Sequence, residues 1–214
     1  MKHMKQAVTT TAKALLFASC VLGGFLSPVL QAENPASDDL DQAVMYLEKT
    51  RTGVVEATRG LSVEQWNFKP ATNRWSAAEV TEHIAAAEDF LMGLIQSQVM
   101  KAPARTEPED VKALDAFILR QIPDRTHKAQ APEALQPGNR FGSPEDSLKH
   151  FQDSRAKTIE FVKTTKDLRQ HAYKSPQLGK TLDGYEWVLF IAAHSERHTK
   201  QIDEVKADPK FPKK

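Results

Sequence analysis

The chain has 214 residues, with 29 basic and 28 acidic side chains and a formal net charge of +1. This length is enough to bury a substantial core as one domain. The charge is nearly balanced and no basic face is clustered along the chain, so a role on nucleic acid is excluded from the working hypotheses.

The first 32 residues are predicted to be a signal for export and not part of the fold. Three lysines precede an apolar run over 14–30, which ends in a small residue, Ala32, ahead of a polar stretch. This order describes a secretory signal peptide, and it predicts a periplasmic or secreted protein cut after Ala32. A retained membrane anchor needs about 20 uninterrupted apolar residues, whereas two glycines and a proline interrupt this run.

Cys20 offers a second interpretation of this leader. Residues 17–20 loosely resemble a bacterial lipoprotein box, but the apolar run continues past Cys20, where a lipoprotein turns polar. Cleavage after Ala32 is therefore favoured over a lipid anchor. The mature chain then has no cysteine for a disulfide or a thiolate metal ligand. Its net charge is −2, because three of the 29 basic residues and none of the 28 acidic ones lie in the leader.

Helical periodicity dominates the remaining sequence, and strand alternation is almost missing from it. The predicted helices cover about 38–59, 76–100, 108–121, 143–165 and 181–207. Side-chain caps and helix stops mark most of these boundaries. The predicted starts are Ser37, the capping box Ser76 to Glu79, Pro108 at a first helical position, and Ser143, while Gly60 ends the first helix.

Four long helices and one short helix predict an all-α fold built as a helix bundle. The bundle covers 33–207, and a short basic tail follows over 208–214. Two connectors join the helices over 61–75 and 167–180, and the first of them is predicted to hold a short capped turn. A Pro-rich stretch over 122–142 is predicted to be a loop.

The last helix carries the most informative pattern. Its inward-facing residues are spaced by three or four, which places them on one face. They are Trp187, Ile191, His194, His198, Ile202 and Val205. His194 and His198 lie one turn apart, so a single ion can bind both rings. On the second helix, His83 occupies an inward position between Val80 and Ala87.

Each histidine alone is more simply explained as a hydrogen-bonded core residue. Three buried rings on two long helices are harder to explain in that way. Each ring costs about 1–3 kcal/mol if its polar atoms find no partner, and one divalent cation can satisfy all three. We therefore predict a divalent-metal site at His83, His194 and His198.

The histidine pair of the last helix differs from the zinc-protease motif. That motif has a glutamate directly after the first histidine, where it acts as a base, and this chain has Ser195 there. Glu196 and Arg197 are predicted to point toward solvent. The sequence therefore assigns no catalytic acid or base.

Other polar residues near these helices receive weaker interpretations. Glu88 lies about 140° around the helix from His83 and is predicted to be a surface charge. Asp183 and Glu186 are candidates for orienting a metal-bound histidine. Histidines outside the two inward stripes are not predicted to be ligands, and His171 is the nearest to an exception. These histidines are His3, His127, His150 and His171.

Several stretches of the sequence resemble the DinB-like superfamily, which includes the bacillithiol-transferase and mycothiol-dependent isomerase groups. They are Leu61-Ser-Val-Glu-Gln-Trp66 with Lys69-Pro70, then Trp75-Ser-Ala-Ala-Glu79-Val80 with His83-Ile84 and Glu88, and Gly184-Tyr-Glu-Trp187 with Ile191-Ala-Ala-His194-Ser-Glu-Arg197-His198 and Gln201-Ile202. The resemblance covers nearly the whole mature chain. It implies a four-helix bundle of up-down-down-up order and a three-histidine site, on His83, His194 and His198, for nickel, zinc or iron.

The sequence thus favours an exported metal-dependent enzyme, either hydrolase-like or a small-molecule transferase. Three protein ligands leave a fourth position for water, which the ion acidifies. Trp66, Trp75 and Tyr185 are expected to line a pocket for a small-molecule substrate. The alternative is a non-catalytic binding module stabilised by metal. Contact with a membrane is expected only through the leader before cleavage, and a homodimer is left open.

Overall fold

A computed structural model describes residues 35–105 and 110–213. The predicted signal peptide, Cys20 and the predicted cleavage site lie outside these residues. The described elements are α1 (Pro35–Thr58), α2 (Val63–Asn67), α3 (Ala77–Ser97), α4 (Val111–Gln121), α5 (Pro144–Thr164), β1 (Ala172–Lys174), β2 (Thr181–Asp183) and α6 (Gly184–Lys206). None of the described helices is both long and apolar enough to cross a membrane.

Local capping fixes the starts of α2, α3 and α5 and the end of α1 where the sequence predicts them. The Ser76 hydroxyl accepts a hydrogen bond from the Glu79 amide at 3.2 Å, and the Glu79 carboxylate accepts one from the Ser76 amide at 2.9 Å. Ser62 begins the short helix α2 with the same reciprocal arrangement, and Ser143 caps α5. Gly60 follows α1 with a φ of 64°, a left-handed conformation that suits glycine.

Two predicted helix starts are wrong. α1 begins at Pro35, so Ser37 lies inside the helix and is not its cap. α4 begins at Val111 behind Asp110, whose carboxylate accepts a hydrogen bond from the backbone of the new helix. An aspartate cap satisfies an amide that has no partner within the helix. The helix therefore starts after Pro108, which lies outside the described residues.

The predicted start of the last helix is also wrong, because Thr181–Asp183 form a strand. This strand, β2, pairs antiparallel with β1 in a two-stranded sheet. Asp183 then caps α6 by accepting a hydrogen bond from the Glu186 amide at 2.8 Å. A Cβ atom on Gly184 would lie 2.7 Å from the Leu168 carbonyl oxygen, so the chain can pass here only as glycine.

The long helices α1, α3, α5 and α6 form the predicted four-helix bundle. α1 packs against α5 and α6, and α3 packs against the same two helices. Helices α1 and α6 run parallel, because Tyr46 contacts Glu196 and, further along both helices, Lys206 contacts the Ala57 carbonyl. The helix pairs that lie diagonally across the bundle are α1 with α3 and α5 with α6.

The apolar core shows the direction of the other two helices. One cluster joins Val80 near the start of α3 with Val54 late in α1, Ile202 late in α6 and Phe151 early in α5. α3 and α5 therefore run antiparallel to α1 and α6. The order is up-down-down-up, as the family resemblance implies.

A buried ion pair crosses the middle of this bundle. The Arg155 guanidinium is fully buried and donates to both Glu88 carboxylate oxygens at 2.8 and 2.7 Å. It also donates to the hydroxyls of Thr50 and Ser195, each at 2.8 Å. The pair therefore links all four long helices. Glu88 is not the surface charge that its helical position predicted, because its side chain faces α5 and meets Arg155 there.

Candidate metal centre

The three predicted histidines meet between α3 and α6. Each offers one ring nitrogen, and these three atoms lie within 4.8 Å of one another. His83 and His198 are buried, while His194 is only half-buried. The inward stripes read from the sequence therefore bring these rings together, and the cluster has one side that solvent reaches.

The orientation of His83 is set from the loop before α5. Its Nδ1 lies 2.8 Å from the carbonyl oxygen of Leu135. A carbonyl can only accept a hydrogen bond, so Nδ1 carries the proton and Nε2 keeps its lone pair. This Nε2 lies 3.2 Å from Nε2 of His194. A free lone pair of His83 therefore points into the cluster.

His198 is oriented in a similar way from its own helix. Its Nδ1 lies 2.8 Å from the side-chain oxygen of Gln201, one turn further along α6. This oxygen is an acceptor, so Nδ1 carries the proton and Nε2 is left unprotonated for the cluster. Outer hydrogen bonds of this kind hold metal-binding histidines in one tautomer and one ring orientation.

The cluster fits a divalent cation. A zinc ion bound to nitrogen at about 2.0–2.1 Å in a tetrahedral site separates two such ligands by about 3.4 Å. The observed separation between Nε2 of His83 and Nε2 of His194 is 3.2 Å. Imidazole donors without a thiolate suit zinc, copper, nickel and iron, and do not distinguish among them.

Burial keeps the three rings neutral, which is the form that binds metal. Loss of hydration lowers the pKa of His83 below its usual value, and the nearby Arg140 charge adds to this effect. Burial and the neighbouring rings hold the pKa of His194 and of His198 well below the usual range. Since charged imidazoles would repel a cation, these pKa shifts favour the ligand form at neutral pH.

Aromatic side chains flank the rings. Trp75 packs against His83 with ring centroids 5.0 Å apart, and Phe190 lies parallel to His194 at 6.4 Å. Of the three rings expected to line a pocket, Trp75 therefore lies beside a histidine of the cluster. Trp66 is buried in the apolar core beside Val54, and Tyr185 is buried beneath the Arg169 guanidinium at 3.8 Å. Within the described residues, neither Trp66 nor Tyr185 stacks on one of the three histidines.

The Pro-rich loop, defined here as residues 122–142, folds against the cluster and is fixed at both ends. At its far end the Glu82 carboxylate accepts hydrogen bonds from the backbone amides of Gly138, Asn139 and Arg140 at 2.8, 2.9 and 3.1 Å. Glu82 lies next to His83 in α3. Glu82 therefore holds the segment whose Leu135 carbonyl contacts the neighbouring residue, His83.

Arg197 fixes the other end of the Pro-rich loop. Its guanidinium donates to the carbonyl oxygens of Ile122 at 3.3 Å and of His127 at 2.6 Å, and also to that of Asp124. The sequence predicted a solvent-facing role for Arg197, and this prediction is wrong. Glu196 does point away from the histidines, toward Tyr46 of α1.

Asp183 and Glu186, which the sequence suggested as residues that orient a metal-bound histidine, make structural contacts instead. Asp183 and Glu186 cap α6 together. Glu186 also pairs with Arg105 at 2.9 Å, and Asp183 with Arg169 at 3.3 Å. The outer hydrogen-bond partners of His83 and His198 are instead Leu135 and Gln201. Burial, followed by the charge of Asp183, raises the pKa of Glu186 to about 7.

The other histidines of the described chain serve as structural contacts. His171 Nδ1 lies 2.6 Å from the Ala102 carbonyl, and His150 Nε2 lies 2.6 Å from the Asp89 carboxylate. His127 contributes the backbone carbonyl that Arg197 binds. None of these three belongs to the group of His83, His194 and His198 in the described part of the chain.

An up-down-down-up bundle with three histidines between its second and last long helices defines the class of protein. The family model of the DinB superfamily matches residues 46–202, a span that includes all three histidines. The chain belongs to the DinB superfamily.

Two known proteins resemble this chain over most of its length. YuaE of Bacillus subtilis (strain 168), an uncharacterized protein, is 26% identical over 148 residues, which are 69% of this chain and 87% of YuaE. The structure of Bacillus subtilis YfiT matches with a TM-score of 0.51 at 16% identity, covering 81% of this chain and 89% of YfiT. YfiT is described as a probable metal-dependent hydrolase with an unusual four-helix bundle topology. At this identity the match shows a shared fold only.

Proposed function

We propose that this protein binds one divalent metal ion through His83, His194 and His198 and uses it in catalysis. The reaction class is hydrolysis or transfer of a group on a small molecule. The observation that supports this proposal is the 3.2 Å separation of the Nε2 atoms of His83 and His194. It lies in a cluster where hydrogen bonds to Nδ1 orient the rings of His83 and His198. The similarity to YfiT supports the hydrolase-like class.

The protein's own residues provide orientation and access. Leu135 and Gln201 hold two ligand rings in the tautomer that offers Nε2. The half-buried ring of His194 lies on the side open to solvent, and Phe190 and Trp75 give this region apolar walls. A bound divalent ion supplies a Lewis acid and acidifies water in its open coordination position. We therefore expect substrates with a polarised carbonyl or another electrophilic centre and an apolar portion.

A chelator titration separates an enzyme from a structural metal protein. We expect chelation to remove the metal and the hydrolytic activity while circular dichroism stays unchanged. The reason is that the bundle has its own apolar core and the buried Arg155–Glu88 pair. A structural site behaves differently, because its binding energy is folding energy.

The screen that accompanies this titration uses small esters, amides and electrophiles, with the zinc, nickel and iron forms measured separately. Loss of helix together with metal, and no turnover on any substrate, would favour the non-catalytic binding module. Restoring activity by adding back the same ion would exclude damage caused by the chelator.

We further propose that the protein is exported, on the basis of the basic, apolar and small-residue order over 1–32. The expected mature N-terminus is at or near Glu33. N-terminal sequencing of protein isolated from the native cell envelope tests this expectation. An intact Met1, or a lipid on Cys20, would contradict it.

A further inference from the structure

The Pro-rich loop reaches the metal centre through a second residue besides Leu135. Arg125 donates through one terminal nitrogen to the side-chain oxygen of Gln201 at 3.2 Å. The same oxygen lies 2.8 Å from Nδ1 of His198. Arg125 is therefore two hydrogen bonds away from a ligand ring, although it lies far from His198 in the sequence.

Arg125 is itself held in one orientation. Its other two nitrogens donate to the two carboxylate oxygens of Glu204 at 2.9 and 2.7 Å. This paired contact uses one edge of the planar guanidinium and leaves the remaining terminal nitrogen for Gln201. A lysine could not make both contacts in this geometry, because its ammonium is a single point of charge.

The chemistry of these groups determines which way the Gln201 amide faces. A glutamine side chain can turn over and present either its oxygen or its NH2 group to a neighbour. Arginine has only donors and stays protonated in proteins, so Arg125 must meet the oxygen. That oxygen then faces Nδ1 of His198 as well. The ring therefore carries its proton on Nδ1 and keeps a lone pair on Nε2.

We propose that Arg125 is a positioning residue of the metal centre, which sets the tautomer of His198 by fixing the orientation of the Gln201 amide. The Leu135 carbonyl sets the tautomer of His83 in the same sense. Arg125 and Leu135 both belong to the Pro-rich loop. Arg197 binds the backbone carbonyls at the start of this loop. The loop therefore prepares two of the three ligands for a cation.

Without Arg125 the amide of Gln201 is free to turn over. Its NH2 group then donates to Nδ1 of His198, and the ring proton moves to Nε2, where it faces the other two rings. This proton has to leave before a cation can bind. Loss of an outer partner costs roughly 10–100-fold in metal affinity. Because Arg125 acts indirectly, we expect Arg125→Ala to cost about tenfold, at the lower end of that range.

The test combines two measurements on the full mature chain. Imidazole nitrogen shifts of 15N-histidine-labelled, metal-free protein report the tautomer of His198, and competition with a chromogenic chelator gives the zinc affinity. In the wild type we expect the proton on Nδ1. Arg125→Ala should give a mixture of both tautomers and the tenfold loss. Gln201→Leu leaves the Arg125–Glu204 pair in place. It should reduce both the fraction of the Nδ1 tautomer and the zinc affinity more than Arg125→Ala does.

A matched control and a rescue make this test specific. Arg74 pairs with the same carboxylate, Glu204, at 3.4 Å. Among the described residues the arginine that donates to Gln201 is Arg125 and not Arg74. Arg74→Ala should therefore change neither the tautomer nor the affinity. Gln201→Glu introduces a side chain that only accepts hydrogen bonds. Adding Gln201→Glu to Arg125→Ala should restore the Nδ1 proton and zinc binding, since a carboxylate has no donor face to turn inward.

The outcomes separate this inference from the proposed function on which it rests. If the wild type binds zinc and Arg125→Ala leaves the tautomer and the affinity unchanged, the positioning role is overturned while the metal site stands. If the wild type shows the Nδ1 tautomer, and loses it in Arg125→Ala, but binds no divalent ion, the proposed function fails instead. A double variant that is no better than Arg125→Ala would show that Arg125 acts through general loss of packing, which also overturns the inference.

Discussion

His194→Ala is expected to abolish stoichiometric metal binding while the bundle stays helical. Loss of an outer hydrogen-bond partner alone costs roughly 10–100-fold in metal affinity, so removal of a ligand should cost at least as much. The fold should tolerate the change, because the His194 ring is half-buried and stacks on Phe190 at the side open to solvent. Elemental analysis of the purified variant after gel filtration, together with circular dichroism, measures both parts of the prediction.

His150→Ala is the matched control for this substitution. His150 also lies on a long helix, contacts a carboxylate at 2.6 Å and stacks on an aromatic ring, Phe141. It does not belong to the three-histidine group, so its loss should leave one metal ion per chain. If the His194→Ala variant instead retains one equivalent of zinc or nickel, the metal site lies elsewhere.

The long helices could be predicted because their signals are local. Ser76 and Ser143 cap helices within three residues of themselves, so the sequence alone shows where α3 and α5 begin. The short strand Thr181–Asp183 could not be found in this way. Three residues are too few for an alternating pattern, and the pairing with β1 and the close approach of Gly184 to Leu168 are tertiary contacts.

The ligands of the candidate site could be predicted from local sequence patterns, but their outer hydrogen-bond partners depend on tertiary contacts and could not. His83, His194 and His198 lie in stripes spaced by three or four residues, and such a stripe can be recognised from the sequence of one helix. The partner of His83 is a backbone carbonyl at Leu135, which has no sequence signal. Arg125 lies in a loop whose path depends on distant anchors such as Arg197.

The wrong prediction for Glu88 has a geometric cause. The angle between Glu88 and His83 correctly indicated that the two side chains point in different directions. However, α3 packs on both α5 and α6, so it has two buried faces. His83 lies on the face toward α6, and Glu88 lies on the face toward α5, where Arg155 meets it. A stripe read from one helix does not show a second buried face.

Arg155→Ala is expected to lower the free energy of unfolding by about 3–5 kcal/mol, as loss of one partner from a buried ion pair commonly does. The substitution leaves the Glu88 carboxylate buried, with Thr158 still donating to it at 2.7 Å but no cation beside it. Urea unfolding followed by circular dichroism measures the change. Arg51→Ala is the control, because Arg51 pairs with Glu48 at the surface, and such substitutions usually change stability by no more than about 0.5 kcal/mol.

Replacing both members of the pair tests whether the unpaired charge causes this loss. We expect Arg155→Met combined with Glu88→Leu to be more stable than either single variant, since apolar replacement of a buried pair is often neutral or stabilising. Each hydroxyl that contacts the pair keeps an acceptor for its own proton. Thr50, Thr158 and Ser195 each reach a carbonyl one turn earlier in their own helices. If the losses of the single variants simply add in the double variant, packing volume and not charge determines the stability of this layer of the bundle.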